Sequence, residues 1–337
     1  KMASYADRPT RLQNSLTDQA DLIFFPMGTD LDYQTGIHRD IPNYGRNLHP
    51  GMWLEGAWIA PGKDPILTVP RMTAEFGATG GLDAFDVRVL GDWDDPVELV
   101  TEILGELGIG ETPKIAVSDN AEAETLIELQ GLRPGTTFAS GTALLRELRV
   151  IKDADEIEKL REAGKITEAA FAATVKQMKI GMTELDVLSE LDHQMKVHGS
   201  LGPSYTTSMY NTGHAISLEF GNKLKSWPRK LEAPTSVLFD FGAVHDGMCY
   251  DYVRTACMGE PSPEQLKVHR LSMESQAAGI AALKSGAVTC EAVDKAARDV
   301  LDEAGYGHAF RHRLGHAIGG DVHEPPFLTK GDTTLVQ

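Results

Sequence analysis

The feature that most constrains the fold is a β-hairpin predicted at residues 237–255, with a carboxylate on each of its two strands. The apolar run at 237–239 ends at Asp240, and a second run of strand-forming residues follows Asp251. Between them lies Asp246-Gly247, a dipeptide typical of tight hairpin turns. Two strands joined in this way would bring both carboxylates to one wall of a cavity.

Carboxylates that lie so close repel each other, so either one of them holds a proton or both share a cation. Hard divalent ions favour such oxygen ligands, and imidazole suits zinc, iron or cobalt. The alternative is that Asp240 ends its strand and Asp251 pairs with Arg254 at the surface. This segment alone leaves both interpretations open.

A second segment, residues 312–326, favours the metal interpretation. It contains three histidines, His312, His316 and His323, in a chain that has 11 in all. Glycines lie between them, and a glycine allows the backbone to approach a ligand closely. One histidine as a metal ligand and two as proton donors or oxyanion stabilisers would use all three. The alternative is a solvated loop whose histidines have no partner.

The rest of the chain divides into two parts. Up to about residue 140, short apolar runs alternate with turns and with a helical pattern at 96–104, which indicates an α/β domain. From Leu145 to Thr174 runs one long amphipathic stretch, with acidic residues near Asp153 where negative charge suits a helix start. Further helices are predicted at 184–198, 263–284 and 290–304, and strands at 236–241 and 248–257. The second part is therefore α+β, with a boundary near 141–150.

Composition excludes several classes of partner and fold. The chain has 32 Lys+Arg against 49 Asp+Glu, a net charge of −17, which argues against nucleic acid or an anionic membrane as the main partner. Its apolar runs are far shorter than the roughly 20 residues of a membrane helix. The cysteines are too few for a disulfide framework. Without a secretory signal, these features predict a soluble, cytoplasmic protein.

Together these segments resemble the pita-bread metallohydrolases: Xaa-Pro dipeptidase (prolidase), aminopeptidase P, methionine aminopeptidase and creatinase. Residues 148–157 resemble the first helix of the catalytic domain in prolidase-like members, and 240–242 and 251–255 resemble the segments that supply two carboxylate ligands. The resemblance implies that the metal ligands are Asp240, Asp251 and His316. It also implies a substrate-facing histidine at His323 and a further active-site histidine at His312.

The resemblance implies a fold and an activity as well. A pita-bread α+β catalytic domain at 145–337 would follow a smaller α/β domain of creatinase/prolidase type at 1–144. Two divalent metal ions (Mn favoured, with Co, Fe and Zn as alternatives) would share a bridging hydroxide that hydrolyses the Xaa-Pro amide bond of short peptides. In such an enzyme His323 would hydrogen-bond the oxyanion, and His312 would position the substrate carboxylate or shuttle a proton. The implied assembly is a homodimer.

Two departures from the family pattern qualify this expectation. The family completes its site with two glutamates beyond the His-Glu-x-Pro segment, and the sequence ends at Gln337 before either, so we expect a chain truncated at the C-terminus. Phe220 stands where the family's peptidases carry a histidine, and His214 is nearby but out of step. These departures leave two alternatives: creatinase-like hydrolysis of a small non-peptide amide or amidine, and a catalytically inactive peptide-binding protein.

Overall fold

The structure, a computed structural model, describes residues 5, 7–39, 50–79, 85–211, 227–284 and 286–337. The chain forms two compact units, Lys1–Arg149 and Val150–Gln337. Phe220 and His214, on which the second departure depends, lie outside the described residues. Within the described ranges, no helix is both long enough and apolar enough to cross a membrane.

The first unit is an α/β sandwich built on one mixed sheet. Its helices are α1 (Asp7–Leu16), α2 (Thr29–Thr35), α3 (Pro96–Glu106), α4 (Ala123–Leu132) and α5 (Thr142–Arg149). Its strands are β1 (Leu22–Pro26), β2 (His38–Arg39), β3 (Gly56–Ile59), β4 (Ile66–Pro70), β5 (Ala78–Thr79), β6 (Asp86–Leu90), β7 (Lys114–Val117) and β8 (Thr137–Ser140). The sheet order is β6-β4-β3-β1-β7-β8, and β2 pairs with β5 separately. Strand β1 runs antiparallel to β3 and parallel to β7.

Strand β1 is apolar throughout because both faces of the sheet are covered. Side chains alternate between faces along a strand, and Leu22 and Phe24 accordingly pack in one core cluster, which includes residues of α3. Ile23 and Phe25 pack in the other, together with Leu12 of α1. A continuous apolar run of this kind is typical of a strand buried on both sides.

The second unit is α+β, and the strands among its described residues form three small antiparallel groups. Its helices are α6 (Ala154–Gln177), α7 (Glu184–Val197), α8 (Pro263–Ala282) and α9 (Cys290–Glu303). Its strands are β9 (Ser208–Asn211), β10 (Thr235–Phe241), β11 (Val244–His245), β12 (Met248–Cys249), β13 (Tyr252–Met258), β14 (Gly315–Ala317) and β15 (Glu324–Leu328). The groups are β13-β10-β9, β11-β12 and β14-β15.

The helix start predicted near Asp153 is confirmed, and the amphipathic stretch from Leu145 to Thr174 comprises the end of α5 and most of α6. Helix α6 starts at a capping box: the Asp153 side chain accepts a hydrogen bond from the Glu156 backbone N–H, and the Glu156 carboxylate accepts one from the Asp153 N–H. This reciprocal pair satisfies two of the N–H groups that a helix start leaves free. It therefore starts a new helix after residues 150–153.

Side chains of strand β10 alternate between the core and the opposite face of the sheet, where the candidate site lies. Val237, Phe239 and Phe241 are buried against α6 and α7, and the Phe171 ring of α6 lies 5.4 Å from that of Phe239. Asp240 lies between two of these buried positions, so it faces the opposite side of the sheet, where it is half-buried.

Candidate metal centre

The two aspartates predicted to meet do lie together, at the end of the β10–β13 pair. In this antiparallel pair Asp240 stands opposite Val253, and Asp251 immediately precedes β13. The hydroxyl oxygen of Tyr205 lies 2.6 Å from Oδ1 of Asp240 and 2.7 Å from Oδ1 of Asp251. A single side chain thus contacts both carboxylates.

The Asp246-Gly247 turn lies where the sequence predicts a turn, but it does not join the strands that lead to the two aspartates. It closes the small β11–β12 hairpin, inserted between β10 and β13. Both turn residues have positive φ, 44° and 78°, as a tight hairpin turn of this type requires. The insertion begins at Gly242, where a Cβ atom would lie 1.7 Å from the Tyr250 carbonyl oxygen. Only glycine allows the backbone to pass so close.

Two of the three predicted histidines join Asp251. His316, on β14, places its Nε2 atom 3.3 Å from Oδ2 of Asp251. The ring of His323, which precedes β15, has its centroid 4.3 Å from that of His316. Asp251, His316 and His323 each offer one possible ligand atom, and these three atoms all lie within 4.8 Å of one another. A carboxylate and two imidazoles in such a group fit a divalent transition metal.

The orientation of His316 also suits a metal ligand. Its Nδ1 atom lies 2.9 Å from the Ala317 carbonyl oxygen, which can only accept, so Nδ1 carries the hydrogen and donates it. This leaves Nε2 directed at Asp251. Histidines that bind metals commonly donate their other ring N–H to a carbonyl or carboxylate in this way.

The remaining predicted residues lie outside that group of three. Asp240 adjoins the group through the contact that Tyr205 makes with both aspartates. His312 is exposed; its ring packs edge-on against Phe310 at 5.1 Å, and its Nδ1 lies 2.7 Å from the Arg313 carbonyl oxygen. The structure therefore brings four of the five predicted residues into one neighbourhood, and His312 is not among them.

The surface ion pair considered for Asp251 is not present. The Arg254 guanidinium lies 4.0 Å from the centroid of the Tyr252 ring and donates a hydrogen bond to the Val253 carbonyl. Asp251 instead contacts His316 and Tyr205.

The electrostatics of the group follow from these contacts. Burial acts to raise the pKa of Asp251, but the hydrogen bonds with His316 and Tyr205 outweigh it, and the pKa lies below its usual value. The hydrogen bond with Asp251 raises the pKa of His316. Burial, with the nearby charge of His316, lowers the pKa of His323. Asp251 and His316 thus favour an ion pair, whereas His323 favours the neutral ring that can bind a metal or donate a hydrogen bond.

Tyr205 is a residue of the site that sequence reasoning missed. It lies in a hydroxyl-rich segment, and no motif or spacing connects it to either aspartate. Strand β9 places it there, since Ser208 pairs with Asp240 across the sheet. Burial and its hydrogen bonds to both aspartates raise the pKa of Tyr205 well above its usual value, so the hydroxyl keeps its proton and can donate it.

Comparison with known proteins agrees with this geometry. Residues 158–337 match metallopeptidase family M24. An Xaa-Pro dipeptidase of Lactobacillus helveticus is 32% identical over 331 residues, covering 97% of this chain and 86% of the relative. A dipeptidase structure from Pyrococcus horikoshii OT3 has a TM-score of 0.83 at 26% identity, covering 98% of this chain and 87% of that one.

A prolidase structure from Thermococcus sibiricus has a TM-score of 0.84 and covers 100% of this chain and 88% of that one. At 23% identity it shows the fold alone. The fold and the family that the sequence resemblance implies are both confirmed. This chain belongs to metallopeptidase family M24 and has its pita-bread fold.

Proposed function

We propose that this protein is a metal-dependent dipeptidase that cleaves the Xaa-Pro bond of short peptides. The observation that carries the proposal is the group formed by Asp251, His316 and His323, with ligand atoms within 4.8 Å of one another and Asp240 adjoining it through Tyr205. Membership of the family implies divalent metal ions, and the named relative is an Xaa-Pro dipeptidase. Manganese is the metal that we propose.

We assign the metal ligands to Asp240, Asp251 and His316, and the substrate side to His323 and His312. The difference in exposure supports this division, because His323 is exposed whereas Asp251 and His316 are half-buried. Bound divalent ions would supply Lewis acidity and a water molecule of lowered pKa. His323 would donate a hydrogen bond to the oxygen that gains charge as the amide is attacked.

We propose that His312 binds substrate or transfers a proton and does not bind the metal. Its Nδ1 atom is directed at the Arg313 carbonyl, and its ring is exposed beside Phe310, so Nε2 remains available to a ligand. From that position it would bind the carboxylate of a dipeptide or move a proton.

Three further proposals concern the whole protein. Residues 1–144 would be a creatinase/prolidase-type domain and residues 145–337 the catalytic domain; the Xaa-Pro dipeptidase relative aligns with 97% of the chain, across both parts. The protein would act as a homodimer. We also propose that it is cytoplasmic, where a reducing environment suits the thiols of Cys257 and Cys290.

The test combines metal analysis with proline release from Gly-Pro and longer Xaa-Pro peptides, with and without added manganese. We expect bound metal and proline release in the wild type, and loss of both in Asp251→Ala. The matched control is Asp299→Ala, which removes a carboxylate of α9 that is 45% exposed and pairs with Lys295 at 2.6 Å.

Two other outcomes would contradict the proposal. Bound metal without proline release would favour hydrolysis of small non-peptide amides or amidines. Absence of bound metal even with manganese added would favour a catalytically inactive peptide-binding protein.

A further inference from the structure

A buried ion pair lies beneath the glycine-rich turn between His316 and His323. Lys152 Nζ is 2.6 Å from Glu324 Oε2, and the two side chains are 12% and 3% exposed. Glu324 directly follows His323, and Lys152 precedes α6. Neither residue belongs to the ligand or substrate groups assigned above.

Gly319 shows how closely the turn rests on this pair. A Cβ atom at Gly319 would lie 2.8 Å from both carboxylate oxygens of Glu324 and 2.8 Å from Cε of Lys152. The Asp321 N–H donates to Glu324 Oε1 at 3.2 Å, and the Gly319 carbonyl accepts from the Cys249 N–H at 2.8 Å. The turn is therefore held by the ion pair on one side and by β12 on the other.

Stability alone is a weak reason for a buried charge pair here. Desolvation offsets most of the attraction between buried charges, and apolar residues of similar volume often stabilise a protein as well or better. A charged pair does impose a defined distance and direction, which apolar contacts do not. At this position it acts on the segment that places His323 beside His316, with ring centroids 4.3 Å apart.

We propose that Lys152 and Glu324 are positioning residues that fix the turn at Gly319 and so set where His323 meets the substrate. This inference rests on the proposed function of the site. It gives a role to three residues that the metal site does not use: the lysine before α6, the glycine of the turn and the glutamate after His323.

The decisive variant is the double substitution Lys152→Met/Glu324→Gln. It removes both charges together, preserves side-chain volume and leaves an oxygen to accept the Asp321 N–H. The single substitution Lys152→Met would leave the buried Glu324 carboxylate without its lysine and is expected to destabilise the protein. We expect the double variant to unfold near the wild-type temperature, yet to lose about 10- to 100-fold in kcat on an Xaa-Pro dipeptide. KM and bound metal would stay close to wild type.

The matched control is Lys165→Met/Glu162→Gln. These residues form an exposed pair on α6 at 2.7 Å, the same chemistry without burial or contact with the turn. We expect wild-type kcat from it. Lys152→Arg, which keeps the charge, would retain more activity than Lys152→Met and serves if the double variant does not fold.

A second readout, independent of turnover, separates this inference from the proposed function. In the metal-free protein, the histidine ring signals in NMR spectra would shift for His323 in the double variant and stay unchanged for His312. They would stay unchanged for both residues in the control. If the wild type releases no proline, the proposed function fails, while this readout still tests the positioning. Wild-type kcat or an unmoved His323 signal in a folded double variant would overturn the inference.

Discussion

Tyr205 is the side chain whose removal tests most directly how the two carboxylates are held for a metal. Its oxygen lies 2.6 Å from Asp240 and 2.7 Å from Asp251, in both cases from the Oδ1 atom. The other carboxylate oxygen of Asp251, Oδ2, lies 3.3 Å from Nε2 of His316. The substitution Tyr205→Phe removes this one oxygen and leaves the ring. Without it the two carboxylates repel each other and are expected to separate in the metal-free protein.

The expected loss of manganese affinity in Tyr205→Phe follows from the number of hydrogen bonds that the hydroxyl can donate. A tyrosine hydroxyl has one proton, so it donates to one carboxylate at a time. A hydrogen bond to a charged group contributes about 1.5–3 kcal/mol. If metal binding must first bring the carboxylates back together, the apparent affinity of Tyr205→Phe for manganese falls about 10- to 100-fold, since about 1.4 kcal/mol corresponds to a factor of ten.

Calorimetric titration of manganese into the metal-free protein measures this affinity directly. The matched control is Tyr306→Phe, which removes a tyrosine–carboxylate hydrogen bond to Glu264 at a distant position in the same unit. Its affinity should equal that of the wild type. If Tyr205→Phe binds manganese as tightly as the wild type, the reasoning is refuted. Tighter binding would mean that the hydroxyl competes with the metal instead of preparing its site.

Two further predictions concern His316 and the segment before it. The hydrogen bond with Asp251 raises the pKa of His316. At any pH below that raised pKa the ring is protonated, and a metal must displace the proton before it can bind. The apparent affinity for manganese should fall about tenfold for each pH unit below that pKa, and an affinity independent of pH would contradict this. Asp294, which is buried, accepts hydrogen bonds from the Leu314 N–H and from Arg298. Asp294→Asn should lower the free energy of unfolding by about 1–3 kcal/mol in a urea titration, and an unchanged value would refute that role.

Local signals in the sequence were sufficient for the four helices described in the second unit and for strand β10. Helix α7 starts after Thr183 and α8 after Ser262, and at each the cap residue and its partner three positions later form a capping box. Side chains alternate along β10 in the structure, so Asp240 faces away from the core. These features depend on neighbours within a few residues, so a single sequence contains them.

Contacts between distant residues could not be predicted in the same way. Tyr205 is separated from Asp240 by 35 positions, and Lys152 from Glu324 by 172. Nothing near a lone tyrosine or lysine indicates such a partner. The Asp246-Gly247 dipeptide correctly predicted a turn but not the strands that the turn joins. Those strands depend on the close backbone contact between Gly242 and Tyr250, which the dipeptide does not reveal.

The carboxylates and the imidazoles of the centre come from different sheets, and this has a consequence for the whole unit. Asp251 borders the β10–β13 pair and His316 lies on the separate β14–β15 hairpin, with α8 and α9 between them in the chain. An ion held by both residues would act as a crosslink that closes the chain from 251 to 316. A covalent crosslink over a loop of that length is worth about 4 kcal/mol in the chain-entropy model. Release of the ion and loosening of the two helices would then be one cooperative event.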